Sequence, residues 1–136
     1  MTAQTNTALS PALAPFVRQR TTLLTSFCKD GTPVGTPVHV AVENGRAFFR
    51  TWDAAWKAKR LRRNPAVELA PSTIRGRPTG PSVQACARLL EGDEAALAAH
   101  ALSAKYGFLH RVLIPWAHRR KGWRTLHYEL IPAEPA

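Results

Sequence analysis

The sequence predicts a small, mainly β barrel whose openings are closed by a few peripheral helices. Three observations carry that reading. Short segments of alternating apolar and polar residues recur along the chain, the period of a strand with one buried face. The dipeptides Asp30-Gly31 and Asn44-Gly45 separate the first of these segments, and such pairs make tight antiparallel hairpins. One long helical stretch comes late and only short ones occur elsewhere. Six strands with so few helices are best closed as a barrel.

The elements follow in order. Residues 1–10 read as a polar, disordered tail, 11–132 as a single domain, and 133–136 as a second polar tail. Residues 11–19 are expected to form a short helix, with Leu13, Phe16 and Val17 against the body. The first strand is 20–29 and the second 34–42, with Val34, Thr36, Val38, Val40 and Val42 on one face. A third strand returns to Thr51, so the first fifty or so residues are expected to be a three-stranded meander. Pro37 lies inside the second strand. Proline cannot donate to a ladder, so it marks an edge, a bulge or a place where a ligand replaces a neighbour. Gly35 thins the same face, leaving either a plain edge that resists aggregation or a flat patch open to a ligand.

The stretch 51–80 organises the rest. A short helix carries Lys57, Lys59, Arg60, Arg62 and Arg63, and Asn64-Pro65 stops it, because the residue before a proline is pushed out of the helical region. A strand over 66–70 and a loop with Arg75 and Arg77 complete the unit, whose only acids are Asp53 and Glu68. A helix start offers free backbone N–H groups and the positive end of its dipole. Basic residues in the same turns make a seat for phosphate or carboxylates; the plain alternative is a solvated basic face.

Residues 82–90 form the next strand, with Val83, Ala85, Ala87 and Leu89 alternating. A helix over 92–106 follows, capped by Gly107. Ala98, Leu102 and Tyr106 lie along one side of it and face the sheet. Residues 108–121 are ambiguous, since Pro115 is expected to break any helix there. The last strand, 123–131, buries Leu126, Tyr128 and Leu130.

Composition narrows the class. The chain has 136 residues, 45% of them hydrophobic, and a net charge of +10. That is one globular domain with a real core and an anionic partner: a phosphorylated cofactor, nucleic acid or an acidic surface. Cys28 and Cys86 are expected as reduced, mostly buried thiols, consistent with a cytoplasmic protein. No Sec-type signal and no membrane-length apolar run is present, so no membrane association is expected. None of the five histidines has a partner at zinc spacing, and no metal site is expected. Ser-His-Asp, P-loop and dinucleotide fingerprints are absent. A basic anion site without an evident acid, base or nucleophile suits a protein whose cofactor carries the chemistry.

An ordered set of motifs then stands out. Thr36-Pro37-Val38 lies in the second strand, Lys57-Ala58-Lys59-Arg60-Leu61-Arg62-Arg63-Asn64-Pro65 in the basic helix, and Ala70-Pro71 after the next strand. Gly76-Arg77-Pro78-Thr79-Gly80-Pro81 and Lys105-Tyr106-Gly107 follow. Together, over residues 16–132, they resemble the pyridoxamine 5′-phosphate oxidase-like split β-barrels, in particular the deazaflavin (coenzyme F420)-dependent oxidoreductases. The resemblance implies a homodimer with a cofactor site at each side of the interface. It assigns the cofactor phosphate to Arg50, Thr51, Lys57, Lys59 and Arg60, and the ring to Thr36, Pro37 and Val38. Pro71, Ser72, Arg77, Pro78, Thr79 and Gly80 of the partner chain would cover the ring. Trp56 departs from the family, which usually carries a small or hydroxyl residue there; it would stack on the cofactor or narrow its pocket. Ser72 stands where relatives often have cysteine. The Glu-Phe-Trp run of true pyridoxamine phosphate oxidases is absent, so that vitamin reaction is not expected.

The expected activity is hydride transfer from the reduced deazaflavin to an electron-poor conjugated acceptor. The surplus of positive charge favours F420 over FMN, which is the alternative cofactor. His39, beside the ring-binding segment, is the candidate proton donor, a structural histidine being the other reading. A non-catalytic flavin or deazaflavin carrier and a nucleic-acid-binding barrel stacking bases on Trp52, Trp56, Trp116 and Trp123 are the rival functions.

Overall fold

The computed structural model describes residues 9–133. Most of the two expected tails lies outside that range. The architecture is mainly β: one seven-stranded antiparallel sheet that curls on itself, with a few helices around it. The strands are β1 (Thr22–Phe27), β2 (Pro33–Val38), β3 (Ala41–Glu43), β4 (Arg46–Trp52), β5 (Ala66–Pro71), β6 (Val83–Leu90) and β7 (Thr125–Pro132). Their order across the sheet is β2-β1-β5-β6-β7-β4-β3.

That order forces the curl. In a flat sheet β2 and β3 would stand at opposite edges, six strand spacings or about 29 Å apart. Only His39 and Val40 join them, and three Cα steps span at most about 11 Å. The sheet must therefore roll until its edges approach. The expected meander is corrected accordingly. Residues 34–42 are not one strand: β2 pairs only with β1, and β3 pairs with β4. The chain changes edges at His39-Val40. Pro37 sits opposite Leu23 on the edge strand β2, where a missing N–H costs no ladder bond.

Two cores fill the two faces of the curled sheet. Inside lie Leu13, Phe16, Leu24, Val40, Phe49, Leu69, Leu126, Tyr128 and Leu130. Phe49 and Tyr128 are register partners whose rings stack at 5.2 Å. Phe48, one residue away, points outward, as the two-residue period of a strand demands. It packs with Leu90 under Ala98, Ala101 and Leu102 of α2 (Gly92–Tyr106). Leu90, not Leu89, is buried at this end of β6; Leu89 is 43% exposed at the rim.

Local sequence explains the helices. α1 (Trp56–Arg63) buries Ala58 and Leu61, and the extended Asn64 ends it. In α2, Asp93 and Glu94 sit in the first turn and Lys105 in the last, matching the dipole, and Gly107 stops it with a positive φ of 69°. Ahead of β1, the expected helix is a single 3₁₀ turn, Ala14–Phe16; Leu13 and Phe16 are buried but Val17 is 37% exposed. The stretch after α2 is helical throughout: a π turn, Leu109–Leu113, leads into α3 (Ile114–Lys121). Pro115 does not break it; it sits where the π turn gives way to α3, and such irregular turns are where a continuing helix takes up a proline.

Lys105 and Tyr106 fasten the place where the chain changes edges. Lys105 Nζ donates to the carbonyls of Phe16, Gln19 and Val40 at 3.0, 2.6 and 2.7 Å. The Tyr106 hydroxyl lies 2.8 Å from the Arg20 carbonyl and 3.1 Å from that of Val40. On the outer face, Arg46 and Arg88 share Glu129 and Glu94, tying the start of α2 to the sheet. The cysteines do not match the expectation of buried thiols: Cys28 is half-buried and Cys86 exposed, both unpaired. Among the described residues no helix is long and apolar enough to cross a membrane.

Candidate active site

Five elements converge on one cavity of about 210 Å³. Pro37, Val38 and His39 come from the end of β2, and Arg50, Thr51 and Trp52 from the end of β4. Lys57 enters from the first turn of α1, and His110, Ile114 and His118 from the π turn and α3. A second cavity, about 200 Å³, is lined by Thr21, Pro37, Val38, His39 and Ile74. The two share the Pro37-Val38-His39 wall, so one groove crosses the edge of β2.

The charge in this groove is positive and unneutralised. No carboxylate lines either cavity. Burial pushes the Arg50 guanidinium down to about 10. Its Nη1 donates to the His110 carbonyl at 2.8 Å, while its Nε is buried with no hydrogen-bond partner. Thr51 Oγ1 is likewise buried and unpartnered. Burial, then the neighbouring Arg60, lowers the Lys57 ammonium, which lies 5.4 Å from the Trp52 ring centre. Trp52 in turn stacks on Trp123 at 4.8 Å.

The histidines around these cations are held neutral. Burial first, then Arg50, pushes His110 down to about 3 and His127, opposite Arg50 on β7, to about 4. His39 and His118 are also lowered, mainly by burial. His39 Nδ1 lies 2.9 Å from His110 Nε2, and the His39 ring stacks on Tyr106 at 4.4 Å. His118 Nδ1 is 2.6 Å from Thr125 Oγ1. Arg50 and Lys57 are therefore the cations that an anion entering the cavity would meet.

No family model matches the chain, and no curated protein matches it in sequence. Solved structures do. The heme storage protein HutZ of Vibrio cholerae superposes with a TM-score of 0.68 and 16% identity, over 93% of this chain and 92% of that one. An F420 reductase gives 0.60 and 14%, over 93% and 97%. A candidate pyridoxamine 5′-phosphate oxidase of Listeria innocua gives 0.56 and 17%, over 90% of each chain. The chain shares their fold, a split β-barrel. At these identities the likeness establishes the architecture of the chain and not its ligand.

Within the split barrel, the residues singled out from sequence fall into three groups. Pro37, Val38, Arg50, Thr51 and Lys57 come together around the 210 Å³ cavity, with His39 in the same wall. Thr36 is adjacent on β2 but does not line it. The rest of the basic helix points elsewhere. Arg60 Nε donates to Ser26 Oγ of β1 at 2.7 Å. Trp56 is 73% exposed and carries Lys59 Nζ 4.5 Å above its ring. Within one chain, Trp56 thus neither stacks in the cavity nor narrows it. Trp56→Ser is expected to change the affinity of any ligand held in this cavity less than about twofold, read by titration.

The third group folds back on itself. Ser72 bridges to Pro78, and the Thr79 amide donates to the Pro71 carbonyl at 2.7 Å. Pro78 and Gly80 line a separate cavity of about 320 Å³ beside Leu23 and Glu68, and Arg77 is exposed in the same loop. The tip of the loop approaches the groove of its own chain. A Cβ on Gly76 would come within 3.3 Å of Pro37 Cγ.

His110, Ile114 and His118 were missed from sequence. Eight residues apart, the two histidines would stand about 80° from each other on a plain α-helix. The wider π turn between α2 and α3 brings both inward, and such turns concentrate at functional sites. The signal available was the His-x₇-His pair inside a segment set aside because of Pro115.

Proposed function

We propose that this split barrel is an oxidoreductase that holds coenzyme F420 in the groove over Pro37-Val38 and reduces an electron-poor conjugated organic acceptor. The observation that supports it most is Arg50: a half-buried guanidinium whose Nε, like the Thr51 hydroxyl, is sealed from solvent without a partner, beside Lys57 in a cavity that no carboxylate lines. A guanidinium fork, an ammonium and a hydroxyl make a donor set suited to a phosphate.

The size of the cavity agrees with a ligand that is only partly enclosed. Sites that enclose a whole ligand run to roughly 300–1,000 Å³, and this one is about 210 Å³. The anionic part would lie between Arg50 and Lys57 and the flat ring across Pro37-Val38-His39, where the edge strand presents few side chains. Lys59, Arg62 and Arg63 remain exposed on α1, a reserve of charge for a longer anionic tail than FMN has. That reserve favours the deazaflavin.

When bound, the reduced deazaflavin supplies the hydride. The protein's own groups bind, orient and exclude water. Arg50, Lys57 and Thr51 hold the anion, and Pro37 and Val38 set the plane of the ring. His39, neutral and tied to His110, is the imidazole placed to hold or pass a proton. A second copy of the chain covering the groove with its 71–80 loop completes the reading.

The test is a titration of the protein with F420 and, separately, FMN, followed by quenching of the tryptophans. Micromolar or tighter binding of F420, weakened roughly tenfold or more by Lys57→Ala, is the expected result. Preference for FMN would replace the cofactor and keep the site. Binding of neither, or a Soret band developing with haemin alone, would overturn the reading.

A further inference from the structure

The segment from Phe108 to Lys121 has two faces of opposite character. Its inner face carries the buried His110 and His118. Its outer face leaves Phe108, Val112, Leu113 and Trp116 exposed by 62, 44, 42 and 48%. Isolated exposed apolar residues are ordinary, but four along one helical segment with a Phe and a Trp among them are not. Cations frame them: Arg111, Arg119, Arg120 and Lys121 are all exposed, and the Arg120 guanidinium lies 5.4 Å from the Trp116 ring centre. No aspartate or glutamate occurs between Glu94 and Glu129.

We propose that this face docks the protein on an anionic lipid bilayer. Aromatic and aliphatic side chains rimmed by arginine are the composition of helices that lie in the interface plane. The apolar side sinks into the headgroup boundary and the cations meet lipid phosphates. Charge complementarity decides between occupants. A second copy seated face to face here would set Arg111, Arg119, Arg120 and Lys121 against their own counterparts, whereas an anionic leaflet neutralises them. The expectation of no membrane contact rested on the lack of a spanning segment, which does not bear on surface attachment. Ile114, His110 and His118 of the same segment line the groove, so docking would bring that end of the barrel close to the bilayer. The inference is independent of which cofactor binds.

The experiment is co-sedimentation of the full chain with phosphatidylglycerol/phosphatidylcholine vesicles and with pure phosphatidylcholine, at low and high salt. Binding to the anionic vesicles only, reduced by salt and accompanied by a blue shift of tryptophan emission, is the expected result. Arg119→Glu/Arg120→Glu should cut partitioning by roughly fivefold or more for each cation reversed. Val112→Ser/Trp116→Ser should cut it at least as far. Both variants replace exposed residues, and unchanged circular dichroism melts would confirm that they fold. Three results would overturn the proposal. One is no binding to anionic vesicles. Another is binding that survives Val112→Ser/Trp116→Ser and is lost only in the charge variant, which is generic polyanion affinity. The third is light scattering showing a dimer that Trp116→Ser splits, which makes the face a contact between copies.

Discussion

Arg50→Ala is expected to lower affinity for the proposed cofactor, coenzyme F420, by roughly 10- to 100-fold, the largest loss of any single substitution in the groove. A hydrogen bond to a charged group contributes about 1.5–3 kcal/mol, and each 1.4 kcal/mol is about tenfold in affinity. Arg50 is the best-placed donor, because β4 fixes its backbone in register with His127 and its Nη1 is already committed to the His110 carbonyl. Only the remaining fork is free to meet a ligand. Arg50→Lys should recover part of the affinity, since it keeps the charge but loses the planar fork. Arg50→Met separates binding from folding. It removes a half-buried cation that no carboxylate neutralises but also the donor to the His110 carbonyl, so it is expected to shift the melting temperature little while losing the affinity. Titrations and thermal melts on the same preparations check both statements. Unchanged affinity in Arg50→Ala would remove the anion site.

Acidification is expected to destabilise the protein by about 3–5 kcal/mol between pH 7 and 4.5. His110 and His127 have folded-state values near 3 and 4, depressed by burial and by Arg50, against about 6.5 in an unfolded chain. Above pH 6.5 both are neutral whether the chain is folded or not, and their contribution is complete. As pH falls below 6.5 the unfolded chain takes up protons that the folded one refuses. Each histidine then costs about 1.4 kcal/mol per pH unit until its folded value is reached. The figure is discounted because His127 is only partly buried. His39 and His118 are lowered too and act with the same sign. Urea melts at pH 7, 5.5 and 4.5 measure the slope. His110→Gln should flatten it, and a stability independent of pH between 7 and 5 would contradict the burial of neutral imidazoles.

The parts of this molecule that could be read from sequence are those where local chemistry decides. Asn44 and Gly45 adopt φ values of 53° and 76°, which that pair accepts readily in a tight turn. Gly107 ends α2, and Leu126, Tyr128 and Leu130 are buried on one face of β7. The break at His39-Val40 was hidden because the apolar alternation of Val34, Thr36, Val38, Val40 and Val42 runs through it in phase. Nothing local marks a change of pairing partner; only Pro37 hinted at an edge. The groove was partly legible for a similar reason. The residues alone marked Lys57 in the basic first turn of α1 and Pro37 within its strand; Arg50 and Thr51 were joined to them as one site through the family resemblance. Which cation of α1 faces inward depends on Ala58 and Leu61 being its buried side, and only packing reveals that. The histidines of 110 and 118 needed a π turn, which has no sequence signature of comparable strength.

The edge change at His39-Val40 also fixes the order in which the chain assembles. The β1–β2 and β3–β4 hairpins are local and close early. Yet β4 finds its other neighbour only in β7, whose residues begin at Thr125. A nascent chain therefore leaves the ribosome with one flank of β4 bare until β7 has emerged. A pairing between such distant segments is slow to form, and an unpaired strand is an invitation to intermolecular contact while it waits. Truncations that trim β7 should accordingly yield insoluble protein, not a smaller barrel, and refolding yield should depend on concentration long after the hairpins have closed.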